Sequence, residues 1–349
     1  MLERIKGLRR ELQFYFKFGI RIQRLRRKNK KLYVCVGSAV HGNMGDQALG
    51  FCRIELLKKL GINEEVIIEY TTRDRMRYWP QICKIHKAED IIIVRGGGYW
   101  GDLWIDGFQE ILLYIEKFSL NKIIVFPQSV FFSSTVEGNK WLQYSKKIVN
   151  QCKNLYIVAR DISSYTLLKN YYPDSIISVS PDTVLSYYPE GLEKKRQLDV
   201  LLCLRSDKEK KQDSITEDEM ITFLEREKKT FILQDTVVDF NLKNLKERKA
   251  KLFETWEKFA NSKLVVTDRL HGMIFSVITE TPCIVFDNID GKVGNQYEWV
   301  KQLDYVFFVD NKNEFMQAWK KAVHFSNVKY PVENMMIQYR ELFSIINKN

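Results

Sequence analysis

The sequence predicts an α/β protein built from two Rossmann-like, doubly wound domains that face each other across a cleft. Short apolar runs typical of buried strands alternate with amphipathic segments of helical length along most of the chain. The alternation pauses in a charged segment, residues 189–198, and then begins again. The chain has 349 residues, which is long enough for two hydrophobic cores of ordinary size.

Four parts of the chain follow from this pattern. Residues 1–31 form a separate basic segment, 32–188 the first α/β domain and 189–330 the second, and the helix in 331–349 is expected to pack back on the first domain. The individual strands and helices follow from the runs themselves. Strands are predicted at 32–36, 66–70, 90–94, 122–126, 155–159, 176–180, 200–204, 230–234, 263–267, 283–286 and 305–309. Helices are predicted at 2–27, 47–59, 107–118, 137–150, 216–228, 244–261, 273–279, 312–324 and 331–347, and a further, serine-rich helix begins after Asp161.

Composition indicates a soluble globular protein with 45% hydrophobic and 28% charged residues. The six cysteines are scattered, without a CxxC pair or a metal-ligand spacing. Cys35, Cys203 and Cys283 lie within apolar, strand-like runs. We interpret the cysteines as reduced core residues of a cytoplasmic protein, and we expect no metal.

Positive charge is concentrated at the N-terminus. The net charge is +11, and residues 1–31 hold twelve Lys and Arg side chains against Glu3 and Glu11. The rest of the chain is therefore almost neutral. This distribution argues against a body that binds nucleic acid and for a local electrostatic contact of the N-terminal segment.

Apolar residues recur every three or four positions in this basic segment, which predicts an amphipathic helix. Lys17 and Arg21 interrupt every apolar run, which excludes a signal peptide and a membrane-spanning helix. Two interpretations remain open. The helix could lie on anionic lipid at the inner face of the membrane, or it could pack on the body or on a second subunit. The apolar stripe consists of Leu2, Ile5, Leu8, Leu12, Phe16 and Ile20.

Two glycine-rich turns follow predicted strands of the first domain. Residues 37–46 read GSAVHGNMGD and lead into a helix, so their backbone N–H groups could approach an anion or a sugar. This turn is neither a P-loop nor GxGxxG. Residues 95–102 read RGGGYWGD, where consecutive glycines indicate a close approach of the backbone to a ligand or, equally, a tight crossing of two chain segments.

The most informative stretch is residues 262–294, which read as one βαβ unit. Arg269 and His271 follow its first strand, and Lys292 lies in the loop after its second. Ligands of open parallel sheets bind beyond the carboxyl ends of the strands. Two cations and an imidazole there suit an anionic substrate that also needs a proton moved. The alternatives are a surface Arg269 paired with Asp268, an ordinary loop lysine and a structural histidine.

An ordered set of motifs resembles the polysaccharide pyruvyl transferases over roughly residues 32–300, and the basic N-terminal segment lies outside the pattern. The resemblance implies a fold similar to that of GT-B glycosyltransferases. It also implies transfer of the enolpyruvyl group of phosphoenolpyruvate to two hydroxyls of one sugar in a capsule or exopolysaccharide precursor, which releases phosphate and forms a cyclic ketal without a metal or other cofactor. The motifs are GNMGD (42–46), GGG (96–98), Arg160-Asp161, Pro181-Asp182, DRLHGMIFS (268–276), Pro282 and Lys292.

Residue chemistry is consistent with that reaction. The carboxylate and phosphate of phosphoenolpyruvate need fixed cations, which Arg160, Arg269 and Lys292 can supply. His271 is the expected proton carrier, or else a hydrogen-bond donor to phosphate. Asp46 could orient or deprotonate the sugar hydroxyl, and its alternative role is to cap the following helix. Contacts to the sugar acceptor, expected to be a lipid-linked oligosaccharide, are assigned to Asn43, Gly97, Gly98 and Asp102.

Two other functions are compatible with the sequence. A GT-B glycosyltransferase of cell-envelope polysaccharide synthesis would hold the diphosphate of a nucleotide sugar with the same cations. It would also need a carboxylate for the donor ribose late in the second domain, where the stretch NQYEW offers only Glu298. A non-catalytic scaffold tethered by the N-terminal helix would have no need for Arg160, Arg269, His271 and Lys292 to converge.

Overall fold

The computed structural model describes residues 2–205, 216–289, 291–326 and 328–348, with side chains from residue 6 onward. Contacts divide the chain into two compact units. Unit 1 comprises residues 1–40, 53–180 and 340–349, and unit 2 comprises residues 41–52 and 181–339. The first glycine-rich turn, which contains GNMGD, thus groups with the C-terminal part of the chain, whereas the sequence pattern assigned it to the first domain. The last ten residues group with unit 1.

Unit 1 contains a parallel sheet in the order β2-β1-β3-β5-β6-β7, with β4 paired to the far part of β5. Every residue of β3 and β6 is buried, as expected for strands covered by helices on both faces. The strands described in this unit are β1 (Tyr33–Ser38), β2 (Ile67–Thr71), β3 (Ile91–Val94), β4 (Gly97–Gly101), β5 (Lys122–Phe131), β6 (Leu155–Ala159) and β7 (Ile176–Val179).

The helices of this part of the chain alternate with the strands, and all but α4 lie where the sequence predicts a helix. They are α1 (Leu2–Phe14), α2 (Ile20–Arg27), α3 (Met44–Lys59), α4 (Thr72–Ile85), α5 (Ile105–Lys117), α6 (Val136–Gln151) and α7 (Ile162–Tyr171), and a π-helical turn, Tyr15–Gly19, joins α1 to α2.

Two elements of unit 1 were missed by the sequence pattern. No helix was assigned between β2 and β3, because Pro80 and four Arg or Asp residues interrupt the apolar periodicity of α4. The helix begins at a capping box in which Thr71 and Asp74 bond each other's backbone N–H groups. No strand was assigned to the glycine-rich turn after β3, which contributes the short strand β4.

The N-terminal helix, by which we mean α1, the π-helical turn and α2 together (residues 2–27), buries a different face from the predicted stripe. Phe14, Ile22 and Leu25 belong to the hydrophobic core of unit 1. Arg26 forms an ion pair with the buried Asp90, and Lys17 contacts Asp74 at 2.6 Å. The predicted stripe remains at the surface, with exposed fractions between 48% and 70% for its four described side chains, Leu8, Leu12, Phe16 and Ile20. Leu2 and Ile5 have side chains outside the described set.

Unit 2 contains a second parallel sheet, in the order β12-β11-β10-β8-β9. Its described strands are β8 (Leu198–Cys203), β9 (Phe231–Leu233), β10 (Ser262–Thr267), β11 (Cys283–Phe286) and β12 (Val306–Val309). Its helices are α8 (Glu217–Arg226), α9 (Leu245–Ala260), α10 (Leu270–Ile278), α11 (Lys292–Tyr297), α12 (Lys312–Ala322) and α13 (Val332–Met336).

The last helix, α14 (Arg340–Asn347), belongs to unit 1. Lys122, at the start of β5, anchors it by donating to the carbonyl oxygens of Ile345, at 2.5 Å, and Lys348. Within the described part of the chain, no helix has both the length and the apolar character needed to cross a bilayer.

Candidate active site

Four neighbouring strands of unit 2 end in polar residues at one edge of the sheet. In the parallel register, Thr267 of β10 lies beside Cys203 of β8 and Val285 of β11. The residues that follow these strands therefore lie at the same edge. They are Arg205 after β8, Asp235 after β9, Asp268 and Arg269 after β10, and Asp287 after β11. Both predicted positions, after β10 and after β11, lie at this carboxyl edge, where ligands of parallel sheets bind.

Arg269 is buried, with 9% of its surface exposed, and its Nη2 lies 2.5 Å from Oδ2 of Asp235. The sequence suggested Asp268 as a partner, and Asp268 accepts a hydrogen bond from the backbone N–H of Arg205 at 2.8 Å. The guanidinium is thus held in place by a carboxylate that follows β9, two strands away in the sheet. A buried arginine in this position is oriented for charged hydrogen bonds to an anion.

The turn between β10 and α10 is tightly built. Thr267 Oγ1 donates to the carbonyl of Cys203 at 2.7 Å and accepts from the backbone N–H of Arg269 at 3.0 Å. A Cβ on Gly272 would lie 2.2 Å from that hydroxyl, so only glycine fits there. Burial raises the pKa of the Cys203 thiol, which stays protonated and forms part of the core.

His271 lies in the first turn of α10 and is held between two segments of unit 2. On one side, its Nε2 faces Oδ2 of the fully buried Asp182 at 3.6 Å. On the other side, a Cβ on Gly45 would lie 2.2 Å from its Nδ1. The imidazole therefore occupies the space that any side chain at position 45 would take.

The loop that carries Gly45 is bonded to the segment after β9. The N–H of Met44 donates to the carbonyl of Thr236 at 2.7 Å, and the N–H of Val238 donates to the carbonyl of Gly42 at 2.9 Å. A Cβ on Gly42 would lie 1.8 Å from the carbonyl oxygen of Val238. Both glycines of GNMGD are therefore required by close packing within unit 2.

Asn43 and Asp46 have distinct positions in this loop. Asn43 Oδ1 accepts hydrogen bonds from the N–H groups of Gly45 at 3.0 Å and Asp46 at 3.3 Å, so Asn43 caps α3. Asp46 lies in the first turn, with its Oδ2 3.7 Å from Nε2 of His41 and 11% of its side chain exposed. The capping role considered for Asp46 thus belongs to Asn43.

Lys292 is the first residue of α11, directly after Gly291, whose φ of 69° begins the helix in the left-handed region. Asp287 shapes the loop before it by accepting hydrogen bonds from the N–H groups of Asn288 at 2.9 Å and Gly294 at 3.0 Å. Lys292 is half-buried. Asp290, in the loop between Asp287 and Lys292, lies outside the described residues.

Arg160 lies in unit 1, at the carboxyl end of β6, and only 2% of its surface is exposed. Its Nε and Nη2 donate to Ser129 Oγ at 3.1 and 2.8 Å, and this hydroxyl donates in turn to Asp161 Oδ2 at 3.0 Å. Asp161 also caps α7 by accepting from the N–H of Ser164. The sequence placed Arg160 at this strand end and did not identify Ser129 as its partner.

The remaining predicted acceptor residues also lie in unit 1. Gly97 pairs with Gln128 of β5, and a Cβ on Gly101 would lie 1.6 Å from the carbonyl oxygen of Phe131, so close chain packing accounts for part of this glycine-rich turn. Gly98 lies within the same strand, β4. Asp102 accepts from the N–H of Ser133 at 2.8 Å and bonds its hydroxyl, which holds the loop after β5.

Five of the predicted residues, Asn43, Asp46, Arg269, His271 and Lys292, thus belong to unit 2, and Arg160, Gly97, Gly98 and Asp102 belong to unit 1. Asp235 was missed, although a carboxylate directly after a strand at this edge is a signal that the sequence carries. Asp182 was part of the motif set but had no assigned role, because its partner is 89 positions away along the chain.

Arg269 and His271 follow a strand at the carboxyl edge of a Rossmann-like parallel sheet, which is the edge where α/β enzymes bind their substrates. The chain belongs to the polysaccharide pyruvyl transferase family, whose model matches residues 43–291, more than half of the sequence. The protein is accordingly a transferase that acts in the transfer of pyruvyl groups to polysaccharide.

The chain is also similar to individual proteins, one of which is named a pyruvyl transferase. The chain is 33% identical to General stress protein 30 of Bacillus subtilis over 295 residues, which cover 82% of each protein. It is 28% identical to Pyruvyl transferase 1 of Schizosaccharomyces pombe over 319 residues, 84% of this chain and 78% of that one. A functionally uncharacterised protein of Klebsiella pneumoniae has a similar fold, with a TM-score of 0.55, 17% identity and coverage of 86% of this chain and 98% of that one.

Proposed function

We propose that phosphoenolpyruvate is the donor and that the product is a cyclic pyruvate ketal on two hydroxyls of one sugar in a capsule or exopolysaccharide precursor. Phosphoenolpyruvate carries a carboxylate and a phosphate, and each needs fixed donors of positive charge. Arg269 and Lys292 in unit 2 are the cations that we assign to this anion. The donor carries its own leaving group, so the proposal assigns no cofactor and no metal.

The observation that carries this proposal is the placement of His271 two residues after Arg269, in a turn fixed by Thr267 and Gly272. Ketal formation needs a proton carrier beside the group that binds the anion. A histidine has an ordinary pKa near neutrality and can both give and take that proton.

The reaction begins when the protonated imidazole of His271 gives its proton to the methylene carbon of phosphoenolpyruvate. C2 becomes electrophilic, and the first sugar hydroxyl adds to it and loses its proton to a base, for which we propose Asp46. The C2–O bond to phosphate then breaks, and phosphate leaves with the electron pair. The second hydroxyl adds to C2 and closes the ketal. Of the two hydroxyl protons, one is balanced by the new methyl group and one leaves on inorganic phosphate.

The acceptor contacts are also proposals. Asn43 and Asp46 lie in the glycine-rich loop against the segment after β9, and Gly97, Gly98 and Asp102 lie in the second glycine-rich turn of unit 1. A carbohydrate ring presents hydroxyls, which such loops can bind with backbone N–H and side-chain oxygen atoms.

We further propose that the acceptor is a lipid-linked oligosaccharide and that the protein acts in the cytoplasm, on the inner face of the membrane. The N-terminal helix supports this proposal, because Leu8, Leu12, Phe16 and Ile20 form an exposed apolar stripe on its outer side. Arg9, Arg10, Arg24 and Arg27 are exposed on the same helix. Apolar side chains flanked by cations are the features of a helix that lies on anionic lipid.

The experiment is phosphate release from phosphoenolpyruvate, measured with and without candidate galactoside and mannosaminide acceptors, with mass spectrometry of the product. A ketal adds the mass of pyruvate less one water, and release should persist after treatment with a chelator. Phosphoenolpyruvate that stays intact with every acceptor, while a nucleotide sugar is consumed, would reject the proposal in favour of a glycosyltransferase.

A further inference from the structure

A buried carboxylate faces the imidazole that the proposed function uses for proton transfer. We propose that Asp182 is the positioning residue of His271, and that Asp182 and Gly45 together make Nδ1 the nitrogen that meets the substrate. The inference deepens the proposed function and rests on it for its kinetic consequences only. The orientation of the ring can be measured without any substrate.

Asp182 is fixed by its surroundings. Its side chain is fully buried, and its Oδ1 accepts the N–H of Val184 at 2.9 Å, which caps the short helix that follows. Its main-chain carbonyl accepts the hydroxyl of Tyr339 at 2.5 Å. The second carboxylate oxygen, Oδ2, is the one directed at Nε2 of His271, at 3.6 Å. One carboxylate therefore secures a turn with one oxygen and faces the imidazole with the other.

The opposite edge of the ring is set by Gly45. Because a Cβ at this position would lie 2.2 Å from Nδ1 and 2.5 Å from Cγ, the ring can take its position only if residue 45 is glycine. The Nδ1 edge therefore faces the loop that also carries Asn43 and Asp46, the proposed acceptor residues. Phe275 packs against the ring with 5.9 Å between ring centroids, one turn further along α10.

These contacts determine which nitrogen can exchange a proton. A carboxylate at Nε2 favours the tautomer with the proton on Nε2, so Nδ1 carries the lone pair in the neutral ring. In the imidazolium form, the proton on Nδ1 faces the loop and can be delivered, while Asp182 stabilises the charge. The other charged groups on elements packed around this turn are Asp46 on α3, Asp268 and Arg269 before α10, and Lys292 on α11.

The first measurement is the tautomer of His271, obtained from two-bond nitrogen–proton correlations in the ¹⁵N-labelled full chain above neutral pH. The protein has four histidines, and the spectrum of His271→Gln identifies the missing signal. We expect the proton on Nε2. A proton on Nδ1 would overturn the proposal whatever the catalytic activity of the protein.

The second measurement is the pH dependence of kcat in Asp182→Asn. Asparagine keeps an oxygen for the N–H of Val184, so the turn is retained while the charge is lost. We expect kcat to fall about 10- to 100-fold, the usual effect of removing a partner that orients an active group. Loss of the negative charge removes a group that stabilises the imidazolium, so the loss of activity with rising pH should begin at a lower pH than in the wild type.

Controls separate positioning from structural damage. Asp174→Asn, on an exposed turn, should leave both kcat and its pH profile unchanged. Gly45→Ala should abolish turnover, whereas Gly7→Ala should not, because no atom lies within 4 Å of a Cβ at position 7. An Asp182→Asn protein with an unchanged pH profile, or with only a raised KM for phosphoenolpyruvate, would contradict the proposal. Absence of phosphate release in the wild type would reject the proposed function instead, and the tautomer would still decide this inference.

Discussion

Asp235 and Arg269 form an ion pair across two strand ends of unit 2, with 2.5 Å between Oδ2 and Nη2. Asp235 is followed by two residues that bond the glycine-rich loop 42–46. The carbonyl of Thr236 accepts from the N–H of Met44, and Val237 forms a β-bridge with Asn43. One short segment after β9 thus orients the arginine proposed to bind the donor and supports the loop proposed to contact the acceptor. A shift of this segment would move both.

Removal of either unit 2 cation should weaken use of phosphoenolpyruvate and leave the fold intact. For Arg269→Ala and for Lys292→Ala we expect kcat/KM to fall roughly 30- to 150-fold, which corresponds to about 2–3 kcal/mol for one charged contact to a bound anion. Steady-state kinetics with varied phosphoenolpyruvate measure the effect, and thermal unfolding reports on the fold. A variant with near-normal kinetics would exclude that residue from the site.

Asp235→Asn should strengthen the binding of phosphoenolpyruvate, in contrast to Arg269→Ala and Lys292→Ala. Asparagine can still accept a hydrogen bond from Arg269, but the negative charge that competes with the substrate anion is gone. We expect KM for phosphoenolpyruvate to fall about threefold, since the pair is partly exposed and solvent screens it. The control is Asp199→Asn, which breaks a 2.7 Å contact to Lys263 near the amino ends of strands β8 and β10 and should not change KM. A rise in KM for Asp235→Asn would show that orientation of Arg269 outweighs competition.

His271→Gln should affect turnover rather than binding. Glutamine can replace a hydrogen bond of the ring but cannot carry a proton near neutral pH, so we expect kcat to fall roughly 10²- to 10⁴-fold with little change in KM. Single-turnover phosphate release measures the chemical step directly. If only KM rises, His271 binds the phosphate and another group moves the proton.

Binding of the N-terminal helix to lipid can be tested without removing the helix, whose inner face is part of the core of unit 1. Leu12→Glu and Phe16→Glu should each weaken co-sedimentation with phosphatidylglycerol vesicles, and high salt should do the same, because the Debye length shortens to about 3 Å at 1 M. Leu120→Glu, at an apolar side chain that is 85% exposed in unit 1, is the matched control. Equal binding by all variants, or equal binding to neutral vesicles, would favour a helix that contacts a second subunit.

The attachment of that helix to unit 1 should be sensitive to acid. Asp90 accepts hydrogen bonds from Arg26 at 2.8 Å and from the N–H of Leu32 at 3.1 Å, and it faces His86 Nδ1 at 3.2 Å. Burial by itself would raise the pKa of Asp90, but the hydrogen bonds from His86 and Arg26 outweigh it and lower the pKa to about 2.

A depressed carboxyl pKa stabilises the fold above about pH 4, and this contribution is lost as the pH falls toward 2. Asp90→Asn should therefore lower the free energy of unfolding by about 3 kcal/mol at pH 7, with a smaller difference at pH 3. Chemical denaturation at both pH values measures it. The exposed neighbour Glu89, changed to Gln, should cost less than about 0.5 kcal/mol. A difference that is the same at both pH values would contradict this account of Asp90.

The sequence by itself determined the α/β class, because buried strands of a parallel sheet are continuous apolar runs that can be recognised locally. Runs such as Ile91–Val94 and Cys283–Phe286 became strands close to where the pattern placed them. It also placed Arg269 and His271 at the carboxyl edge of the sheet, because residues that closely follow such strands lie at that edge wherever the strands pair. Charge and helical periodicity also predicted the basic N-terminal helix.

Tertiary structure alone decided which groups meet at that edge. His271 is paired with Asp182, 89 positions away, and Arg269 with Asp235, 34 positions away, and no local pattern encodes such contacts. Packing also decided which face of the N-terminal helix is buried. The apolar stripe with the more regular spacing remained exposed, while Phe14, Ile22 and Leu25 entered the core, because Arg26 and Lys17 on that side find the carboxylates of Asp90 and Asp74. Helical periodicity reports that a face is apolar, and only the surface it meets determines whether that face is covered.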